Sequence, residues 1–443
     1  MVKKFISAVI ALTMVMGMCS CSDSSSVNET TKNSAAAQSA EQFKLGDDIV
    51  SPTADYKFVA ASDDASSDEK FLMGANDFSV ELFRKSVEKD IVNGKNTLVS
   101  PESVLFALGM TENGAKGETL RQLQKVLCKD LDTDTFNKNM NKLISCASSS
   151  SDFKFSIANS VWVKDMDKMT LNEQFTKNCK ELYNADLFKA PFNDETKKQM
   201  NNWVNEKTNS MIPSIIDELG VDTAAVLLNA IAFEADWEEK FDPEGTDNKS
   251  GFTLNSGKTV DSTSMTSMEK LYVSDENAQG FIKNYKGEKY AFMAVLPNEG
   301  TSLADYVKSL TAEKFAKLYA GKTDKYNVNI KIPKFKYDYS TELNGLLKEM
   351  GITDAFDQEK ADFSAMTDQQ KLFISHVLHK THIQLDEEGT KAAAATAAEM
   401  DVSGALPMGD KSIYFNRPFV YAIMDTGTGL PVFMGTVCDP TAN

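Results

Sequence analysis

The chain has 443 residues, 42% of them apolar and 25% charged, with 47 Lys and Arg set against 64 Asp and Glu. Its formal charge of −17 excludes the basic footprint that nucleic-acid binding needs, and anionic lipid headgroups would repel it, so any membrane link must be hydrophobic or covalent. The length suits one large domain or two or three ordinary ones.

Residues 1–21 have the form of an export signal. Lys3 and Lys4 precede an apolar run of 14 residues, Phe5 to Met18, which is too short to span a bilayer comfortably. Ser20-Cys21 then resembles a bacterial lipobox, in which the signal is removed and the new N-terminal cysteine carries lipid. Cys21 is thus the expected lipidation site and the only expected membrane link. Cys19, which follows the bulkier Met18, is the rival, and a plain secretory signal is the alternative. The expected location is outside the cell, lipid-anchored at the surface or free. Residues 22–68 are rich in Ser, Asp, Ala, Thr and Asn, with few large apolar side chains, and are expected to form a flexible tether.

A single domain is expected over 69–443. Phe71, Leu72, Ala75, Phe78, Leu82 and Phe83 open it at helical spacing. Helices are expected near 70–90, 101–111 and 117–129, a strand at 153–164, helices at 171–184 and 196–209, and a strand at 223–233. Strands follow at 280–284, 290–296 and 327–337, then a helix at 341–350, then strands at 371–386, 412–425 and 430–437. With helices early and strands late, the class is α+β. Cys128, Cys146, Cys179 and Cys438 lack CxxC spacing and read as buried or half-buried free thiols. His376, His379 and His382 are the only histidines. Their spacing would suit a metal on a helix, but on a strand His379 faces away from the other two, so no metal is expected. HExxH and GxSxG are absent, and Ala320-Gly321-Lys322-Thr323 lacks the earlier P-loop glycine because position 316 is Ala. No enzyme and no cofactor is implied.

The stretch Asp386 to Val402 is rich in Ala and by propensity favours helix. At period two it reads differently. Positions 390, 392, 394, 396, 398, 400 and 402 are Thr, Ala, Ala, Thr, Ala, Met and Val, while Lys391, Glu399 and Asp401 take the other parity. Such a strand would turn one uncharged face to a core and the other to water. A central strand has no need of so many small side chains, but a strand that must slide between two others does.

Glu387-Glu388-Gly389-Thr390 followed by small residues resembles the hinge of a serpin reactive loop. Phe415-Asn416-Arg417-Pro418-Phe419 and Phe433-Met434-Gly435-Thr436-Val437 resemble the family's C-terminal signature. Asn96 to Ser103, Gly114 to Thr119, Asn159-Ser160, Trp203-Val204-Asn205, Leu227 to Phe233 with Trp237, Ile332 to Phe335, Gly351 to Phe356 and Ile374 to Lys380 continue the likeness in family order over 71–441. The resemblance implies a serpin fold of mixed β-sheets, about eight or nine helices and an exposed reactive-centre loop at about 387–411.

It also implies roles. Glu387, Glu388, Gly389, Thr390, Ala392 and Ala394 form the hinge. Ser100, Ser103, Asn229 and His379 make a polar cluster where the sheet opens, and Trp237, Lys334 and Glu387 sit where the loop first inserts. The expected function is suicide-substrate inhibition of a serine protease, trapped as an acyl-enzyme when the cleaved loop enters the central sheet. Lys391 departs from the family, where an acid is usual. Counting from the hinge puts the reactive bond at Ser403-Gly404; counting back from Phe415 puts it nearer Met408. Between Ala392 and Asp410 there is no Lys, Arg, Phe, Tyr or Trp. Met400, Val402, Ser403, Ala405, Leu406 and Met408 suit an elastase-like or subtilisin-like target, and Val402 before Ser403 suits a papain-like one. A monomeric non-inhibitory serpin acting as a surface binding protein is the remaining alternative.

Overall fold

The computed structural model describes residues 45–442, apart from 63–66, 149–151, 166–168 and 391–408. The described chain runs α1 (Glu69–Val92), β1 (Thr97–Val99), α2 (Pro101–Glu112), α3 (Gly117–Cys128), α4 (Thr133–Ser148), β2 (Phe153–Lys164), α5 (Glu173–Tyr183), β3 (Asp186–Ala190), α6 (Asp194–Lys207) and β4 (Ala225–Asp236). Four strands follow: β5 (Asp247–Thr253), β6 (Thr259–Glu269), β7 (Leu271–Ser274) and β8 (Ala278–Asn284). Next come β9 (Tyr290–Pro297), α7 (Leu303–Ser309), α8 (Ala312–Ala320), β10 (Asn327–Pro333), β11 (Phe335–Glu342) and α9 (Asn344–Met350). The chain closes with β12 (His376–Leu385), β13 (Gly389–Thr390), β14 (Asp410–Tyr414), β15 (Phe419–Asp425) and β16 (Pro431–Val437). This is the α+β class, with nine α-helices among the described residues.

Three sheets carry the architecture. The central sheet has the order β11-β12-β13-β4-β2-β3, a second six-stranded sheet the order β1-β16-β15-β9-β8-β7, and a third sheet the order β14-β10-β6-β5. β4 is buried on both faces because each face meets a different layer. Val226, Leu228 and Ala230 share a core with Trp203 and Val204 of α6. Ile231 and Phe233 point the other way, into a core with Tyr290 and Phe433 of the second sheet. A strand covered on both sides reads as a continuous apolar run, which is what Ala225 to Phe233 is.

Two expected strands are each split in two. The run 327–337 breaks at Lys334, whose N–H bonds the carbonyl of Thr263. β10 then belongs to the four-stranded sheet and β11 to the central one. The run 412–425 breaks at Asn416-Arg417-Pro418, where the chain leaves the four-stranded sheet for the second. Pro418 has no N–H to give a ladder, so the break falls where the chain changes sheets.

The expectation of a free tether as far as residue 68 does not hold for residues 45–62. Val50 and Lys189 exchange both backbone hydrogen bonds, at 2.9 and 2.8 Å, so the segment extends the central sheet past its edge strand β3. The Thr53 hydroxyl accepts from Leu187 N–H, Val59 N–H donates to the Glu181 carbonyl, and Ala61 N–H donates to the Ser145 hydroxyl. Ile49 is buried and Phe58 packs against the main core. A few well-placed apolar side chains among polar ones anchor a segment whose average composition reads as unstructured. Removing residues 1–62 should lower native-state stability by about 2–4 kcal/mol, the burial of roughly two large side chains, read as a lower urea midpoint.

Cys128, Cys179 and Cys438 are free and buried, and Cys146 is half-buried. Burial pushes the Cys128 and Cys438 thiols up to about 12, so neither is a reactive thiolate at neutral pH.

Candidate functional site

β12 and β4 run parallel and pair directly, from His376 opposite Val226 to Thr381 opposite Ile231. Above that point they separate, and β13 fills the gap. Thr390 pairs with Leu385 of β12 and with Ala235 of β4, antiparallel to both. Gly389 and Thr390 therefore form a short further strand of the central sheet. Gly389 is required by space: a Cβ there would lie 2.1 Å from the Ala235 carbonyl oxygen. Thr390 is 2% exposed, and its hydroxyl lies 2.6 Å from the Tyr285 hydroxyl.

The turn that leads into β13 is held at each residue. The Trp237 indole N–H donates to the Asp386 carbonyl and its backbone N–H to the Glu388 carbonyl. Phe241 N–H donates to the Glu387 carbonyl. Trp237 stacks on Tyr285 at 4.5 Å between ring centroids, so both walls of the slot are rigid. Lys334 Nζ lies 2.5 Å from Glu387 Oε2, the Thr246 hydroxyl donates to Oε1, and Lys240 pairs with Glu388. Burial works to raise the Glu387 carboxyl, but its bonds from Lys334 and Thr246 outweigh it and hold the group below the ordinary range. The structure thus brings Trp237, Lys334, Glu387, Glu388, Gly389 and Thr390 together. Thr246, Lys240 and Tyr285 complete the group without a sequence signal, since each is distant in the chain and common in type.

Halfway down the central sheet lies a closed polar cluster. His379, Asn229 and Asn159 sit opposite one another on β12, β4 and β2. Ser100 N–H donates to His379 Nε2 at 3.1 Å, so Nδ1 carries the ring proton and donates to Asn229 Oδ1 at 2.6 Å. The two protons of Asn229 Nδ2 are shared among the Ser103 carbonyl, the Ser103 hydroxyl and Asn159 Oδ1, all within hydrogen-bond reach. Ser100 caps α2 by accepting from Ser103 N–H and donates its hydroxyl to the Val432 carbonyl. Ser100, Ser103, Asn229 and His379 are all 0% exposed, so each bond stands in for water the group has lost. Asn159 is the member that a role-by-role reading of the sequence passed over. His376 and His382 face outward on β12, against Glu342 and Asp338.

Burial lowers the His379 imidazole to about 3. The folded state then binds fewer protons than the unfolded state, whose histidine titrates near 6.5. The contribution to stability is therefore complete above pH 6.5 and is lost as pH falls towards 3, at about 1.4 kcal/mol per unit. Between pH 7.5 and 5, His379→Gln should lose about 2 kcal/mol less stability than the parent, measured as the difference in urea midpoints. Taking that difference removes Glu102 and Glu112, whose carboxyls burial pushes up to about 8 and about 7, and which titrate in the opposite sense.

Ala392, Ala394, Met400, Val402, Ser403, Gly404, Ala405 and Met408 lie outside the described residues, as does Cys21.

The central sheet thus holds Gly389 and Thr390 between two strands that pair directly with each other further down. The comparisons give the family. The family model described as Serpin (serine protease inhibitor) matches residues 73–440. The chain is 31% identical over 377 residues to an uncharacterized serpin-like protein of Methanosarcina acetivorans, covering 82% of this chain and 85% of that one. It is 32% identical over 380 residues to leukocyte elastase inhibitor A of Mus musculus, covering 82% and 97%. Among solved structures it resembles the native state of tengpin, a thermophilic serpin, with a TM-score of 0.81 and 39% identity over 88% of this chain and 99% of that one. The chain belongs to the serpin family.

Proposed function

We propose that the protein is a suicide-substrate inhibitor of a serine protease of elastase-like or subtilisin-like preference. The observation that carries this reading is β13, two loop residues already paired on both sides between β12 and β4. A serine protease passes through an acyl-enzyme when it cuts a peptide bond. If the cut falls at Ser403-Gly404, the carboxyl side of Ser403 stays bonded to the protease while the hinge continues into the sheet. Each further residue gains ladder hydrogen bonds on two sides, and the acyl-enzyme is carried away from its own catalytic geometry before water arrives.

The register of β13 extends this consistently. Gly389 opposite Asp236 and Thr390 opposite Ala235 would put Ala392, Ala394, Thr396, Ala398 and Met400 opposite Phe233, Ile231, Asn229, Leu227 and Ala225. Those β4 residues face the core, and the loop residues of that parity are the uncharged ones. Lys391, Glu399 and Asp401 would take the other face.

The export signal, the lipid at Cys21 and the surface location belong to the same reading, as does the monomeric state. The elastase inhibitor among the relatives supports the target class. The test is incubation of the domain with an elastase-like protease, denaturation in detergent, and identification of the released C-terminal fragment by mass. The expected result is a detergent-stable band of combined mass and a fragment beginning at Gly404. Clean cleavage with no such band for elastase-like, subtilisin-like and papain-like proteases alike would leave the protein a non-inhibitory surface serpin.

A further inference from the structure

The aromatic core beside the hinge contains a buried charge pair. Along β8, Phe281 faces the core that holds Trp237, Phe241 and Tyr285, and Ile282 faces the opposite one. Lys283 has the parity of Phe281 and points into the aromatic core, where it is 4% exposed. Its ammonium lies 2.7 Å from Glu269 Oε1, at the end of β6, and Glu269 is 7% exposed. The Ser267 hydroxyl donates to the same oxygen. The ammonium also stands over two rings, 4.6 Å from the centroid of Phe241 and 5.8 Å from that of Trp237. A cation out of water is drawn to the faces of such rings. Glu269 belongs to the four-stranded sheet and Lys283 to the second six-stranded one. The pair is therefore a strut between two sheets, and it bears on Trp237 and Phe241.

Stability alone does not call for charges in this core. Ions lose their hydration on burial, and apolar side chains of similar volume often serve as well. What the pair adds is a fixed geometry. Apolar side chains slide past one another at little cost, whereas a salt bridge with a shared carboxylate oxygen does not. What it fixes is the grip on the hinge. The Trp237 indole bonds the Asp386 carbonyl, Phe241 N–H the Glu387 carbonyl and Trp237 N–H the Glu388 carbonyl. Tyr285, two residues on from Lys283, bridges to Trp237 and meets the Thr390 hydroxyl. Each of these holds on the hinge comes from a ring under Lys283 or from its near neighbour in the chain.

We propose that Lys283, held by Glu269, is a positioning residue for loop insertion, one that fixes Trp237 and Phe241 so that Gly389 and Thr390 stay paired between β12 and β4 before any cut is made. The inference rests on the inhibitory reading above. With that pairing in place, insertion has only to lengthen a strand; without it, the strand must first be started. The protease binds the loop before this step, so the rate of capture does not depend on Lys283. The partition between trapping and release does.

The test measures association rate and inhibition stoichiometry separately, with an elastase-like protease. Lys283→Met and Glu269→Gln are combined, because removing one partner alone would strand a buried charge. Losing the cation from both rings should slow insertion about tenfold. The double variant should therefore consume several-fold more inhibitor per protease, at the parental association rate. Lys283→Arg keeps a cation between Glu269 and the rings and should retain the parental stoichiometry. Should the double variant fold poorly, Glu269→Gln alone, which keeps the side chain's shape and an acceptor for Ser267, should raise the stoichiometry in the same direction. If the parent traps the protease and the neutral variants match its stoichiometry, the positioning role is wrong and the inhibitory reading stands. Lys283→Arg as impaired as the double variant, or an association rate that falls in step with the stoichiometry, would also overturn the role. A parent that forms no complex overturns both readings.

Discussion

Ala394→Glu should convert the protein from an inhibitor into a substrate. If the loop inserted in the register of β13, position 394 would fall between Ile231 of β4 and Thr381 of β12, both 0% exposed. Thr381 already uses its hydroxyl on the Leu98 carbonyl, so it has no donor to spare for a carboxylate. Phe233 and Ile383 would flank the site one row above. A carboxylate there loses its water and finds no cation, and the effective penalty for such burial is several kcal/mol. Insertion would stall one row below Thr390, at about Ala392. The acyl bond would meanwhile remain open to hydrolysis. Since each 1.4 kcal/mol is a factor of ten in rate, a penalty of about 3 kcal/mol slows insertion more than a hundredfold and lets deacylation win. The expected result is normal cleavage of the loop, loss of the detergent-stable complex, and many inhibitor molecules consumed per protease. Lys391→Glu lies on the other parity and should leave the stoichiometry near one. A pair of variants that behaved alike would show that the parity, and with it the register, is wrong.

What the sequence made legible follows from where the folding signal is local. α2 was readable because Ser100 is an N-cap and Pro101 sits at the first helical position, and both do their work within one turn. β2 was readable to its ends, and β4 stood out as an apolar run. α4 was missed, although Phe136, Met140, Leu143 and Ile144 lie on one buried side. Its Asn, Thr, Ser and Cys residues have modest helix propensity, and the helix is held by what packs on it. β5 and β6 were missed for a related reason. Stretches such as Asp261-Ser262-Thr263-Ser264-Met265 are mostly hydroxyls with few apolar residues to alternate, and they become strands by pairing with each other and with β10. The polar cluster at His379 was legible only through family likeness. The hydrogen bond between Ser100 and His379 alone spans 279 residues, and nothing in the local sequence of Ser100 or Asn229 announces a partner. The anchoring of residues 45–62 was hidden because it depends on the free edge of β3, which no reading of the segment itself can see.

Thr396→Val should spare the native protein and weaken the loop-cleaved form. An inserted strand in the register of β13 would put position 396 opposite Asn229 on one side and His379 on the other. In the native sheet these two side chains bond each other, His379 Nδ1 to Asn229 Oδ1 at 2.6 Å. A strand that enters between β12 and β4 must break that bond, because it moves the two strands apart by the width of one more, about 4.8 Å. The broken ends are a ring N–H and an amide oxygen, both at 0% exposure and beyond the reach of water. Thr396 is the one position of the inserting face between Thr390 and Met400 that carries a hydroxyl. A hydroxyl can accept from the histidine and donate to the amide oxygen at once, so it would restore both partners. Valine has nearly the same shape and restores neither. An unsatisfied buried polar group costs about 1–3 kcal/mol, so two should cost the inserted form roughly 2–6 kcal/mol. The native form has no such bond to lose, and its urea midpoint should stay within error of the parent. The gain in denaturant resistance on loop cleavage should therefore shrink in Thr396→Val and be kept in Thr396→Ser, whose hydroxyl does the same work. Equal gains in Thr396→Val and the parent would mean that the inserted strand takes another register or stops above the cluster, and the route of insertion drawn from β13 would have to be redrawn.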